Sequence, residues 1–153
     1  MNPITIQHLS TGDAVKLQRL NELFGDAFDD PENYRSRPPS CEYLSRLLTK
    51  DHIIVLVALD GDDVTGGLVA YELEKFEQDR KELYIYDIAV AKNHRRRGIA
   101  TLLINQLVAI GAARKAHVVY VQADHGDEPA IALYSGLGDR AEVLHFDITI
   151  NES

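Results

Sequence analysis

The sequence of 153 residues has few of the features that mark secreted, membrane or metal-binding proteins. Cys41 is its only cysteine, which excludes an internal disulfide and a cysteine-based metal cluster. No apolar run approaches the roughly 18 residues that suggest a membrane-spanning helix. Residues 1–5 lack the charged and apolar regions of a secretory signal. We therefore expect a soluble, cytoplasmic protein with no membrane partner.

Metal and nucleic-acid sites also lack their usual patterns. The six histidines show no metal-ligand spacing, and the sequence contains no GxxxxGK[ST] phosphate loop. The formal net charge of −8 would repel a nucleic-acid backbone rather than attract it. We expect neither a metal site nor a nucleic-acid partner.

The length and hydrophobic pattern indicate one α/β domain over residues 1–153. A composition of 45% hydrophobic and 26% charged residues suits one core of ordinary size, and no long linker or repeat interrupts it. The order βααβββαβαβ indicates a mixed central sheet with helices on both faces. We expect Gly25 to end the first helix, residues 29–39 to form turns and residues 60–63 to form a hairpin. Periodicity predicts strands at 4–7, 53–59, 64–73, 82–90, 117–122 and 142–148, and helices at 11–24, from about 40, at 99–114 and at 129–137.

The most informative segment is the sequence RRRGIA at residues 95–100. A strand pattern precedes it, and an amphipathic helix pattern follows from Ile99. Gly98 lets the backbone approach a ligand, so that the first unpaired N–H groups of the helix can converge on an anion. The three arginines add charge-assisted donors. A merely solvated basic loop is the alternative, but the strand, glycine and helix together favour a phosphate-binding loop.

Two ordered blocks resemble the GNAT superfamily of acyl-CoA-dependent N-acetyltransferases. Arg95, Gly98 and Ala100 match its pyrophosphate signature, [RQ]-x-x-G-x-[GA], and residues 127–134 with Leu137-Gly138 match a second block. The resemblance implies the GNAT fold and acetyl-CoA as cofactor. Asp127, where the family often has asparagine, is either a cofactor residue or a helix cap. The implied cofactor residues are the backbone of Ile88, Ala89 and Val90 for pantetheine, and Arg95, Arg96, Arg97, Gly98, Ile99, Ala100 and Thr101 for the pyrophosphate.

Three residues are candidates for catalysis. The resemblance places Tyr134 near the thioester sulfur as general acid to the leaving thiolate. Reference pKa values near 10 for tyrosine and about 8.5 for a thiol make full transfer uphill, so we expect a stabilising hydrogen bond. Asp87 or Asp124 could accept the amine proton if burial raised its pKa. The alternatives are a packing tyrosine for Tyr134, a paired structural carboxylate for Asp87 and a turn or cap for Asp124.

The charge pattern suggests a cationic acceptor. Acidic residues gather away from the arginines, which indicates two ligands of opposite charge, although acidic loops often serve only solubility. Residues 23–34, 76–100, 119–134 and 143–148 resemble type I aminoglycoside 3-N-acetyltransferases. Carboxylates suit the ammonium groups of such a polycation. The candidate acceptor residues are Asp29, Asp30, Glu32, Asp124, Glu128, Glu142 and Asp147.

The resemblance implies a specific reaction. It is direct acetyl transfer from acetyl-CoA to the 3-amino group of a gentamicin-type 2-deoxystreptamine aminoglycoside, which would make the host resistant to the antibiotic. A homodimer is also expected from the family. Two alternatives stay open: acetylation of a polyamine or another small cationic amine, and a CoA-binding module without turnover.

Overall fold

The computed structural model describes residues 3–151. They divide into two compact units, the first ending at Gln122 and the second beginning at Ala123. The expectation of one domain over the whole chain stays a prediction. The first unit contains β1 (Ile4–His8), α1 (Ala14–Ala27), α2 (Pro31–Arg35), α3 (Cys41–Leu47), β2 (Ile53–Asp60), β3 (Asp63–Glu74), β4 (Lys81–Val90), a 3-10 turn (Lys92–His94), α4 (Ile99–Ala113) and β5 (Ala116–Val121), and the second contains α5 (Glu128–Ser135).

The five strands form one mixed sheet in the order β1-β2-β3-β4-β5. Neighbouring strands are antiparallel except β4 and β5, which are parallel. A parallel pair needs a crossover connection, and α4 supplies it. The sheet confirms the predicted mixed α/β architecture, and the crossover places the start of α4 just beyond the end of β4.

Helices cover both faces of the sheet, as predicted. Successive side chains of a strand point to opposite faces, and in β2 both sets are buried. Val55 and Val57 belong to the core cluster that contains Leu20 of α1. The alternate residues of β2 are buried on the other face, where α4 packs against the sheet and buries Leu103 and Leu107 completely.

The connection after α1 differs from the prediction. Gly25 does not end α1, which continues to Ala27. A Cβ at Gly25 would lie 3.1 Å from the Cβ of Tyr34, so glycine permits the close approach of α2. The predicted turns also contain the short helix α2, because Asp30 accepts a hydrogen bond from Asn33 N at 3.2 Å and Pro31 occupies the first turn.

The strand predicted at residues 142–148 does not form in the described chain. Residues 139–151 have no helix or strand, and their apolar side chains are exposed, with Leu144 at 83% and Ile148 at 91%. Alternating apolar residues show that a segment suits a strand, but a strand also needs a neighbouring edge with which to pair. Within residues 3–151, every helix is too short or too polar to cross a membrane.

Candidate functional site

The loop before α4 leaves the start of that helix open to an anion. Gly98 is the N-cap residue and has a φ of 73°, a left-handed conformation that favours glycine. No side chain caps the helix at this position. Leu102 N donates to Gly98 O at 3.0 Å, so the preceding N–H groups of the first turn have no partner within the helix. These N–H groups and the positive end of the helix dipole are the elements of a phosphate site.

The arginines of the loop differ in their partners. Arg95 Nε donates to Val90 O at 3.3 Å, and Arg96, with a φ of 64°, is exposed. Arg97 Nη1 lies 3.9 Å from Asp60 Oδ2, which is also 3.4 Å from His94 Nε2. Asp60 thus holds one side of the loop. Sequence reasoning assigned Asp60 only to a hairpin, because nothing in the local pattern links it to a loop so far along the chain.

The end of β4 has an open backbone edge. Pairing with β5 stops at Ile85 and Val121, whereas β4 continues to Val90 and stays paired with β3. Ala91 N donates to Thr65 O of β3, so strand alternation directs the N–H and C=O groups of Val90 and Ile88 away from β3. On that side Val90 O accepts from Arg95 Nε. A ligand that carries amides can bind such an edge in the manner of an added strand.

A β-bulge accompanies this open edge. Val69 of β3 faces Asp87, but the next residue, Ala70, faces Ile85, so Tyr86 is the extra residue of β4. The bulge changes which side chains share a face beyond this point. The bulge lies in the pairing of β4 with β3, and it comes directly after the last β4 residue that pairs with β5.

A groove of about 920 Å³ borders the beginning of the loop. This volume lies in the range of small-molecule sites. Its lining carries both signs of charge, with Arg19 and Glu22 of α1, Thr65 of β3, and Lys92 and His94 of the 3-10 turn. The backbone before the arginines is therefore accessible from an open groove.

Asp87 is half-buried and hydrogen-bonded. Tyr34 Oη donates to Asp87 Oδ2 at 2.6 Å. Burial raises the pKa of Asp87, and the hydrogen bond from Tyr34 opposes that rise. Burial, followed by the bond to Asp87, raises the pKa of Tyr34, so its hydroxyl stays protonated as a donor. A carboxylate with a raised pKa accepts protons better than an ordinary one.

Tyr34 was missed by the sequence analysis as a functional residue. It ends the block 23–34 of the family resemblance, but the resemblance assigned it no role, and its partner lies on a strand far along the chain. It also closes an aromatic cluster with Phe24 and Phe28, whose ring centroids lie 6.1 Å and 5.8 Å from its own. This packing fixes the ring that presents the hydroxyl to Asp87.

The second unit carries Tyr134 and Asp127. Burial, and then the charge of Asp127, raises the pKa of Tyr134 to about 12. The hydroxyl is therefore neutral at physiological pH and available as a hydrogen-bond donor. Asp127 accepts from Ala130 N at 3.4 Å at the start of α5, which is the capping role that the sequence left open.

The predicted acceptor carboxylates fall into separate groups. Asp29 and Asp30 lie together before α2, where Asp30 caps the helix that contains Glu32. Two others bind near neighbours in the chain: Glu142 pairs with Arg140 at 2.5 Å, and Asp147 with His145 at 2.8 Å. Asp124 and Glu128 are exposed at the start of the second unit. No group of three or more potential ligands for a metal occurs among residues 3–151.

The chain matches a family model over most of its length. Residues 17–138 match the Acetyltransferase (GNAT) family, a range that contains both sequence blocks and the open β4 edge. No curated protein sequence matches the chain significantly.

Solved structures with the same fold include close relatives. One aminoglycoside acetyltransferase from an uncultured soil metagenomic sample is 53% identical, with a TM-score of 0.95, over 97% of this chain and 99% of the other. Another from such a sample, in complex with sisomicin, is 31% identical with a TM-score of 0.90 over 97% of each chain. A ribosomal-protein-alanine N-acetyltransferase from Brucella melitensis biovar Abortus, at 21% identity and a TM-score of 0.76 over 97% of this chain and 100% of the other, shares the fold.

Substitution of Tyr34 should raise the pKa of Asp87. Tyr34→Phe removes a hydrogen bond that favours the ionised carboxylate, while the burial that raises the pKa remains. Carbon NMR titration of the Asp87 carboxyl should therefore show protonation at higher pH in the variant. Tyr43→Phe is the matched control, because the Tyr43 side chain of α3 is exposed. An unchanged or lower pKa in Tyr34→Phe would show that the bond does not favour the anion.

Proposed function

Because the chain belongs to the GNAT family of acetyltransferases, we propose that it transfers the acetyl group of acetyl-CoA to an amino group of an aminoglycoside. The observation that carries the proposal is the open β4 edge, followed by the arginine loop and by α4, whose N-cap is Gly98. The two relatives at 53% and 31% identity, both aminoglycoside acetyltransferases, support this class of acceptor.

The residues around the loop fit a pantetheine chain joined to a pyrophosphate. The N–H and C=O of Ile88 and the N–H of Val90 would pair with the pantetheine amides. The N–H groups of residues 98–101 and the arginines would hold the pyrophosphate, with Asp60 positioning Arg97. When bound, acetyl-CoA supplies an acetyl group activated as a thioester. Asp127 would not contact the pyrophosphate, because its carboxylate would repel a phosphate. Its role is to cap α5, the helix that carries Tyr134.

Asp87 is our choice for the group that accepts a proton from the amine. The nucleophile must be neutral, and the raised pKa of the half-buried Asp87 improves it as a base. Asp124 is exposed at the start of the second unit and serves as the alternative. Tyr134, with its pKa of about 12, would donate a hydrogen bond to the thiolate rather than transfer its proton, since a thiol has a pKa of about 8.5.

The acceptor position in this proposal is the 3-amino group of a 2-deoxystreptamine aminoglycoside of the gentamicin type. The carboxylates of Asp29, Asp30, Glu32, Asp124, Glu128, Glu142 and Asp147 would neutralise the other ammonium groups. Acetylation removes a positive charge from the drug and enlarges the amine. We propose that the enzyme acts in the cytoplasm and that this change makes the host resistant to the drug.

Release of thiol from acetyl-CoA tests this function. With sisomicin as acceptor, the enzyme should release thiol from acetyl-CoA at least ten times faster than with spermidine or with no acceptor. Mass and NMR spectra of the product should place one acetyl group on the 3-amino nitrogen. Release only with spermidine would identify a polyamine acetyltransferase. Binding of CoA without any release would identify a binding module and overturn the proposal.

Tyr134→Phe should lower turnover much more than cofactor affinity. Loss of one hydrogen-bond donor to a developing anion costs about 100-fold in kcat, whereas the ring that packs in α5 is kept. Steady-state kinetics should show this fall with KM for acetyl-CoA within about twofold of the original. Tyr43→Phe is the control, and unchanged turnover in Tyr134→Phe would remove Tyr134 from the mechanism.

We propose a homodimer on the basis of residues 143–150. Their apolar side chains are exposed, and β5 is an edge strand of the sheet. Pairing of this segment with β5 of a second copy would cover both surfaces. Light scattering should give about twice the 17.1 kDa chain mass, and Ile148→Asp, but not Val15→Asp on α1, should give a monomer. A monomeric original protein would contradict the proposal.

A further inference from the structure

Four tyrosines form a continuous row across β3, β4 and β5. The ring of Tyr84 stacks on Tyr120 with centroids 4.7 Å apart and planes 6° apart. Tyr86 makes edge contacts with Tyr84 at 5.9 Å and with Tyr71 at 5.8 Å. The row therefore crosses three neighbouring strands of the first unit, and we call it the tyrosine row.

The tyrosine row is not part of the core. Leu83 and Ile85, the neighbours of Tyr84 in β4, are buried, and alternation places Tyr84 on the opposite face from them. Tyr86, the bulged residue, is 61% exposed. Aromatic pairs across strands stabilise a sheet, but this role does not require a ring as exposed as Tyr86. A connected aromatic surface of this kind is typical of a binding site.

A negative charge lies beside the tyrosine row. Asp87 follows Tyr86 directly in β4, and the carboxylate of Asp87 helps to raise the pKa of Tyr71 and Tyr84, in each case after burial. Aromatic faces attract ammonium groups, and an adjacent carboxylate adds to that attraction. The surface combines flat rings with an anion, which suits a ligand that has both rings and ammonium groups.

The row also lies beside the proposed cofactor edge. Asp87 immediately precedes Ile88, whose backbone groups point to the open side of β4. A ligand on the tyrosine row would thus approach the strand that holds the cofactor. The aminoglycoside acetyltransferase at 31% identity has been solved in complex with sisomicin and in complex with trehalose. Both of those ligands are built from sugar rings.

We propose that the tyrosine row binds the sugar rings and ammonium groups of the aminoglycoside acceptor, with Tyr86 as its most exposed contact. The inference rests on the proposed function, because it names the surface that holds that acceptor. The acidic segments then act in steering the polycation, while the tyrosine row and Asp87 orient it. Tyr86 is a specificity residue that acts by binding.

Variants of Tyr86 test the role of its ring. Tyr86→Leu should weaken the binding of sisomicin by about 5- to 30-fold, the range expected for loss of a cation–π contact. Tyr86→Phe keeps the ring and should stay within about twofold of the original. Phe76→Leu is the matched control, because Phe76 is 98% exposed in the connection between β3 and β4 and lies outside the row.

Two readouts separate this inference from the proposed function. The first is KM for sisomicin and for acetyl-CoA in the thiol assay, where only the former should change. The second is the Kd of sisomicin without acetyl-CoA, measured by calorimetry and by protein fluorescence. The chain has no tryptophan, so its tyrosines supply the fluorescence and should respond when the row is covered. Thermal melting establishes that each variant is folded.

The outcomes are distinct. If Tyr86→Leu transfers acetyl to sisomicin with the same KM and Kd for sisomicin as the original protein, the binding role of the tyrosine row is wrong and the proposed function stands. Binding of sisomicin that depends on the Tyr86 ring, without any transfer, would support the row and contradict the function. If Tyr86→Leu weakens the binding of spermidine and of sisomicin equally, the row recognises charge alone, and the proposed contact with sugar rings is wrong.

Discussion

The early end of the β4–β5 pairing is the constraint on which the rest of the site depends. Two parallel strands that stayed paired to Val90 would use all the backbone groups of β4, and no ligand could bind that edge. Pairing stops at Ile85 and Val121 instead, while β3 holds the other side of β4 in place. The N–H and C=O of Ile88 and the N–H of Val90 are thus presented on a rigid strand, with little backbone freedom left to lose on binding.

The bulge at Tyr86 joins this edge to the tyrosine row. It inserts one residue into β4 between the part that pairs with β5 and the part that does not. Tyr86 becomes exposed beside the other tyrosines, and Asp87 reaches Tyr34. One irregularity in one strand therefore positions the half-buried Asp87, an aromatic surface and an open edge next to one another.

Much of this arrangement follows from local sequence. The change of period at Gly98 predicts the strand, loop and helix, because periodicity and the positive φ of glycine act over a few residues. The Tyr34–Asp87 bond, the contact of Asp60 with Arg97 and the tyrosine row depend on strand register and on residues far apart in the chain. The strand expected at 142–148 failed for the same reason, since alternation cannot specify a pairing partner.

Amide hydrogen exchange at the end of β4 tests the central claim most directly. The N–H of Ile88 points to the open side, whereas that of Ala89 points to β3 and serves as an internal control. Saturating CoA should slow exchange at Ile88 and at residues 99–101 by at least tenfold, with little change at Ala89. Binding of CoA that leaves Ile88 and residues 99–101 unprotected would show that the open edge is not where the cofactor binds.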